Sequence, residues 1–476
     1  MTDQVSSKQN LLRALPSVDA LLHTPAARAL LESIGSQRLT ELARAVTDEL
    51  RAKLLAESLD EETNGDHSRA SLLAEAESKL EEACAKEKAL GLRRVINASG
   101  VILHTNLGRA PLAESARRAI AEEAAGYCTL EYDIATGSRG RRGARAESAL
   151  AELACAESAI VVNNCAAAAL LVLTVLAEGG ETIISRGELV EIGGDFRVPD
   201  VMAQSGTRLV ETGTTNRTKL ADYERAITEN TRLLMRVHPS NYRIVGFTAN
   251  PSLAELANLA HNAGLLLYED AGSGALIDLE PHGLAGEPVI RESISDGADV
   301  VTFSGDKLLG AAQAGLIVGR RAVIERLRRH PLYRALRADK LALAALEATL
   351  EIYRRGRAIE EIPTLRMLAM TKEETERRAR VFLKRLKKLN PTALRFEIAE
   401  GVSAIGGGSA PTTHPRTALV ALTHTKLSAD EIEERLRAST PPVIARIAYD
   451  RVLLDLRTVA EEEEGELLNA LAALPA

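Results

Sequence analysis

From about residue 95 to 320 the chain alternates short β-branched runs with Ala- and Leu-rich windows, and no other feature narrows its fold as far. The runs are SAIVV (158–162), ETIIS (181–185), TRLVET (207–212), RLLMRV (232–237), LLLYED (265–270) and ADVVTF (298–303). Between them lie windows such as AAAALLVLTVLAEG and SLAELANLAHNAG. Strands covered on both faces read as continuous apolar runs, and helical connections make neighbouring strands parallel. The pattern predicts an α/β fold with a mostly parallel sheet between helical layers. GLIVG (315–319) follows its predecessor after only a short loop, as a reversed strand would. Aromatic residues make up 3% of the 476 residues and Trp is absent, so the core is built from Ala, Leu, Val and Ile.

The flanks differ. Residues 1–90 read as amphipathic helices over 11–22, 27–34, 39–57 and 72–90, with the polar SLDEETNGDHSRAS (58–71) as a linker or helix–helix loop. Residues 320–390 are rich in Arg and Lys, and the C-terminal part reads as a smaller α/β domain holding the Gly-rich loop GVSAIGGGSAPTTHP (401–415). The expected domains are 1–90, 91–340 and 341–476. The start has no apolar run before a small-residue cleavage site, and no stretch approaches the ~20 apolar residues that cross a bilayer. Cys84, Cys128, Cys155 and Cys165 show no CxxC or metal-ligand spacing, which predicts a reduced, cytoplasmic protein without a metal site, its cysteines acting as small buried apolar residues. A net charge of −7 leaves RNA binding only to local basic patches.

In parallel sheets ligands gather at the carboxyl ends of strands. There VVTFSGDKLLG sets Ser304 at a strand end and Lys307 in the following turn, where a lysine can bond covalently to a carbonyl cofactor. LLLYEDAGSGAL sets Asp270 at the end of another strand. Read singly, each fits an ordinary loop residue. Together they form the pair that pyridoxal phosphate requires, an amine for its aldehyde and a carboxylate for its ring nitrogen. SAIVVNNCAAAALLVL supplies a helix start whose backbone N–H groups, around Asn164, Cys165 and Ala166, suit a phosphate, and Ser304 adds a hydroxyl. An ordinary strand-to-helix turn has the same appearance. These signals support the type I (aminotransferase-like) pyridoxal-phosphate fold.

Arg109 in NLGRAPL, Arg334 and Arg337 in PLYRALRADK, and Arg139, Arg141, Arg142 and Arg145 in GSRGRRGAR suggest a second anion site, although a solvated basic face accounts for them as well. His238, in RVHPSNYRIVGF, suits either the cofactor or its own backbone.

RRVINASGVILHTNLGRAPL, YCTLEYDIATGSRGRRGAR, VVNNCAAAALLVL, ISRGELVEIGGDFRVPDVM, ETGTTNRT, VHPSNYRIVGFT and VVTFSGDKLLG together resemble the bacterial selenocysteine synthase family. The resemblance is collinear over roughly 90–340. It implies pyridoxal 5'-phosphate on Lys307, Arg109, Arg334 and Arg337 around the phosphate of selenophosphate, and a helical N-terminal domain that binds seryl-tRNA(Sec). It also implies a homodecamer, a ring of dimers, and the synthesis of selenocysteinyl-tRNA. At 310–315 the chain reads Gly-Ala-Ala-Gln-Ala-Gly where the family carries Gly-Gly-Pro-Gln-Ala-Gly, a change that costs ~1 kcal/mol if φ at 311 is positive. Two other functions stay open on the residues alone. One is a pyridoxal-phosphate lyase of a free amino acid or amino sugar phosphate, and the other is a tRNA-binding scaffold without catalysis.

Overall fold

The computed structural model describes residues 13–57, 68–193, 197–389 and 391–475. Two compact units emerge, 1–94 and 95–476.

In the first unit four helices, α1 (Val18–Leu22), α2 (Pro25–Ile34), α3 (Ser36–Glu57) and α4 (Arg69–Ala89), enclose a core of Leu21, Leu39, Leu50, Leu80 and Cys84. The helix expected over 11–22 begins outside the described residues and is broken at Pro16–Ser17. Proline cannot continue the backbone ladder, and the Ser17 hydroxyl accepts from the Ala20 N–H, so a new helix starts there. The expected linker lies outside the described residues over 58–67. Its last residues form the start of α4, with Ser68 as the cap.

The second unit is built on seven strands: β1 (Ser158–Val162), β2 (Glu181–Ser185), β3 (Arg208–Thr212), β4 (Thr231–Val237), β5 (Leu266–Gly272), β6 (Val300–Ser304) and β7 (Gly315–Gly319). Their spatial order is β1-β7-β6-β5-β4-β2-β3. Every neighbouring pair is parallel except those of β7, which runs antiparallel to both β6 and β1. The mostly parallel sheet and the reversed GLIVG strand are thus as the sequence pattern predicts. β1, β2, β6 and β7 are buried along their whole lengths. Two apolar clusters, one on each face, account for the Ala, Leu, Val and Ile bias.

A four-stranded antiparallel sheet, Leu394–Val402, Arg416–His424, Arg451–Asp455 and Arg446–Ala448 in spatial order, has its own apolar cluster. The residues that open the second unit pair with this C-terminal part. Ile96–Asn97 lies parallel to Val443–Ile444, and Val101–Leu103 to Ala404–Gly406. The helix Lys340–Arg354, just past the expected boundary at 340, packs instead on Glu114–Ala124 and Ala144–Leu153. Among the described residues no helix is long and apolar enough to cross a membrane.

The cysteines depart from the expectation of small buried apolar residues. Cys84 is buried, whereas Cys155 is exposed in a left-handed turn after Ala144–Leu153, and Cys128 and Cys165 are half-buried.

Candidate active site

Sheet register gathers the strand ends. Asp270 pairs with Val237 on one side and Thr302 on the other, Ser304 lies opposite Gly315, and Gly315 lies opposite Val162. Lys307 and Asp270, Ser304 and the start of the helix Cys165–Ala177 therefore come together at one edge.

Lys307 sits in a closed turn. The Gly305 N–H donates to Ala314 O at 2.9 Å, that of Ala311 to Gly305 O at 2.8 Å, and that of Gly310 to Lys307 O at 2.9 Å. Gly310 has φ +74°, and Ala311 does not share that left-handed conformation. The alanine at 311 therefore imposes no backbone strain, and the cost expected for a missing glycine does not arise. Lys307 is only 5% exposed. Burial pushes its amine toward the neutral form, and the Arg109 guanidinium acts in the same sense. Cys165, Asp270 and Asp306 oppose them.

Asp270 is as buried as Lys307, and its proton affinity is raised by that burial. The Gly272 N–H and the Thr302 hydroxyl each donate to its Oδ1 at 3.2 Å, and the Cys165 thiol lies 3.6 Å from the same oxygen. Among the described residues every hydrogen bond to this carboxylate reaches Oδ1, which leaves Oδ2 open to a cationic N–H. A buried carboxylate with one oxygen held and one open fits a protonated pyridine ring. Burial pushes the Cys165 thiol strongly up, so it stays a neutral donor.

The helix start is also suited to an anion. Asn164 caps it, its side chain accepting from the Ala167 N–H at 2.8 Å. The N–H groups of Cys165 and Ala166, inside the first turn, have no partner within the helix itself. A Cβ on Gly315 would lie 2.0 Å from Asn164 O, so only glycine lets β7 approach this loop so closely. An aldehyde partner, a carboxylate for a ring nitrogen and an anion cradle at one strand edge are what pyridoxal phosphate requires.

Of the two roles expected of His238, the local backbone one is the role observed. Its Nδ1 accepts the Ser240 N–H at 3.2 Å, a local backbone role. Its Nε2 lies 3.8 Å from Glu287, and burial favours its neutral form. Glu287 also accepts from Ser273 and from the Ala410 N–H of the Gly-rich loop. The Ser240 hydroxyl donates to Gly408 O at 3.0 Å, so that loop is tied directly to the segment after β4. Glu287 did not stand out in the sequence, and the loop did so only as a Gly-rich stretch of the C-terminal part.

The arginines divide. Arg109 is held at 2.7 Å by Asp306, the residue before Lys307, and its own φ of +62° aims it there. Arg337 lies beside Val162 through a backbone bridge, and its guanidinium meets Glu131 at 3.0 Å. Arg334 is exposed on the short helix Pro331–Leu336. In the Gly-rich basic loop, Arg139 and Arg142 also meet Glu131 at 2.8 and 2.7 Å, and Arg141 meets Glu147 at 3.2 Å. Arg145 is exposed, 3.9 Å from Glu351. Glu131 is thus shared by three guanidiniums and Glu147 by Arg141 and Arg328, so carboxylates offset only part of this positive charge. Among the described residues no group of His, Cys, Asp and Glu is placed to hold a metal ion.

Comparison with known proteins supplies what geometry alone does not. The family described as L-seryl-tRNA selenium transferase matches residues 95–460, and the one described as selenocysteine synthase N terminal matches 12–51. An L-seryl-tRNA(Sec) selenium transferase of Geobacter sulfurreducens is 47% identical over 461 residues, covering 97% of this chain and 98% of its own. One from Moorella thermoacetica is 48% identical over 464 residues, 97% of each chain. Among solved structures, a D-glucosaminate-6-phosphate ammonia-lyase superposes with a TM-score of 0.54 at 21% identity, over 81% of this chain and 97% of its own, and shares the fold.

Proposed function

The chain belongs to the L-seryl-tRNA selenium transferase family, and on that premise we propose that it converts L-seryl-tRNA(Sec) to L-selenocysteinyl-tRNA(Sec) with pyridoxal phosphate. The observation that carries this reading is the burial of both Lys307 and Asp270 at neighbouring strand ends beside an anion cradle, in a chain that matches transferases of this name almost end to end.

When bound, pyridoxal phosphate supplies the electron sink that stabilises negative charge at the α-carbon of the seryl ester. Lys307 would hold it through Nζ, and Asp270 Oδ2 would face its ring nitrogen. The Cys165 and Ala166 N–H groups, the Asn164 turn and the Ser304 hydroxyl would receive its phosphate. The free Lys307 amine takes the α-proton, a task that burial favours by shifting it toward the unprotonated form. The Cβ hydroxyl leaves with a proton as water, selenium from selenophosphate bonds to the same carbon as Lys307 returns a proton to the α-carbon, and hydrolysis of the Se–P bond releases phosphate, with Arg109, Arg334 and Arg337 holding the donor's phosphate. For Arg109 this means exchanging the Asp306 carboxylate for a phosphate oxygen, a trade that suits a guanidinium fork. In this reading residues 1–90 bind the tRNA, 91–340 carry the chemistry and 341–476 form a smaller α/β domain. The working form is a cytoplasmic homodecamer.

The test is product formation from charged tRNA(Sec), selenophosphate and pyridoxal phosphate. The protein is expected to yield selenocysteinyl-tRNA, and Lys307→Ala to lose roughly a hundredfold or more of the rate. Full turnover by that variant would overturn the assignment of Lys307. Activity confined to free serine or an amino sugar phosphate would move the function to a small-molecule lyase.

A further inference from the structure

Beside Asp270, on its own strand and the next, lie two hydroxyl groups that the reaction does not use. Tyr268 and Thr302 are both fully buried, on the adjacent strands β5 and β6. The Tyr268 and Thr302 hydroxyl oxygens are 2.9 Å apart, and Thr302 Oγ1 is 3.2 Å from Asp270 Oδ1. Each hydroxyl has a single proton, and an ionised carboxylate only accepts. Thr302 therefore donates to Asp270, and Tyr268 must donate to Thr302. The order of protons is fixed: Tyr268 to Thr302 to Asp270.

We propose that Tyr268 and Thr302 are positioning residues for this reaction, a two-step relay that locks Asp270 Oδ1 so that Oδ2 stays directed at the cofactor's ring nitrogen. The inference rests on the reading of Asp270 as the ring's partner. Burial works against the ionised form of Asp270, and a directional chain of donors offsets it, because each hydrogen bond polarises the next in a low-dielectric interior. The Cys165 thiol, from the helix start after β1, and the Gly272 N–H, two residues on along β5, converge on the same oxygen, so rotation of the carboxylate would break all three contacts at once. Tyr268 acts only through Thr302, since its hydroxyl meets Thr302 rather than the carboxylate.

The test uses the full-length protein stripped of cofactor, titrated with pyridoxal phosphate, with the visible circular dichroism of the bound cofactor as a second readout of ring orientation. Thr302→Val is expected to weaken cofactor binding about tenfold and to change the dichroic band, because a hydrogen bond to a charged group is lost. Thr302→Ser, which keeps the hydroxyl, is expected to restore affinity to within about twofold of the parent. Tyr268→Phe is expected to weaken binding about threefold. The double variant should bind no worse than Thr302→Val alone, as residues acting in series do. Additive losses in the double variant, or parent-like affinity and dichroism in Thr302→Val, would overturn the relay. If Thr302→Val does not fold, Thr302→Ser against Tyr268→Phe decides, and equal affinities in these two with the parent's dichroism refute it. Asp270→Asn separates the two levels. If it too binds as the parent does, the role of Asp270 fails, whereas its loss of affinity beside an unaffected Thr302→Val sinks only the relay.

Discussion

Lys307 and Asp270 carry opposite charges, and the same burial pushes each toward its neutral form. For the lysine this is an advantage, since the unprotonated amine is both the nucleophile that captures an aldehyde and the base that takes a proton. The sign of the pH dependence follows. With the folded value lowered, the free-amine fraction rises with pH and passes its midpoint below that of an ordinary lysine. The rate at which cofactor-free protein captures pyridoxal phosphate should therefore climb with a midpoint below that of a solvated lysine amine, as stopped-flow absorbance would record. A midpoint at or above that of a solvated lysine would mean that the amine is not desolvated. These two residues were legible in the sequence because Asp270 ends an apolar run and Lys307 follows another in the next turn. Their neighbours were not. Asp306 meets an arginine 197 positions away and Glu131 meets Arg337 across 206, and no local pattern announces pairs at such separations. Tyr268 and Thr302 were equally silent, since strand alternation assigns a face without naming a partner.

At the scale of elements, hydrophobic patterning located the seven strands of the main sheet, because buried parallel strands leave little freedom in composition. Boundaries set by single polar contacts were harder, as the Ser17 cap that splits the first helix illustrates. The helix start at Asn164 was legible as a possible cradle, but what makes it one is the close passage of β7 beneath it. Gly315 permits that approach, and Gly315→Ala would drive a methyl into Asn164 O. Relief requires the loop to move by more than an ångström, a strain on the order of 1–3 kcal/mol. The expected result is a loss of about tenfold or more in cofactor affinity with the fold retained, read by fluorescence titration. Unchanged affinity would show that the cradle tolerates displacement. Glycine at a strand start is common, so its role could be seen only once Asn164 stood opposite.

Over the whole molecule, two units each close their own core, and the family match extends through both. The expected boundary near 90 falls close to the end of the first unit. The C-terminal part, by contrast, draws in residues 96–103 as pairing partners, a long-range arrangement that two- and three-residue strands do not signal in sequence. The helical unit ahead of the aminotransferase-like body matches the family described as selenocysteine synthase N terminal over residues 12–51.

The most direct test of the central claim is the visible absorption spectrum of the cofactor-loaded protein, titrated with seryl-tRNA(Sec) and separately with free serine. The account predicts a band assigned to cofactor on Lys307 that shifts with the charged tRNA and not with serine. A band that responds to serine alone, or no band at all, would contradict it.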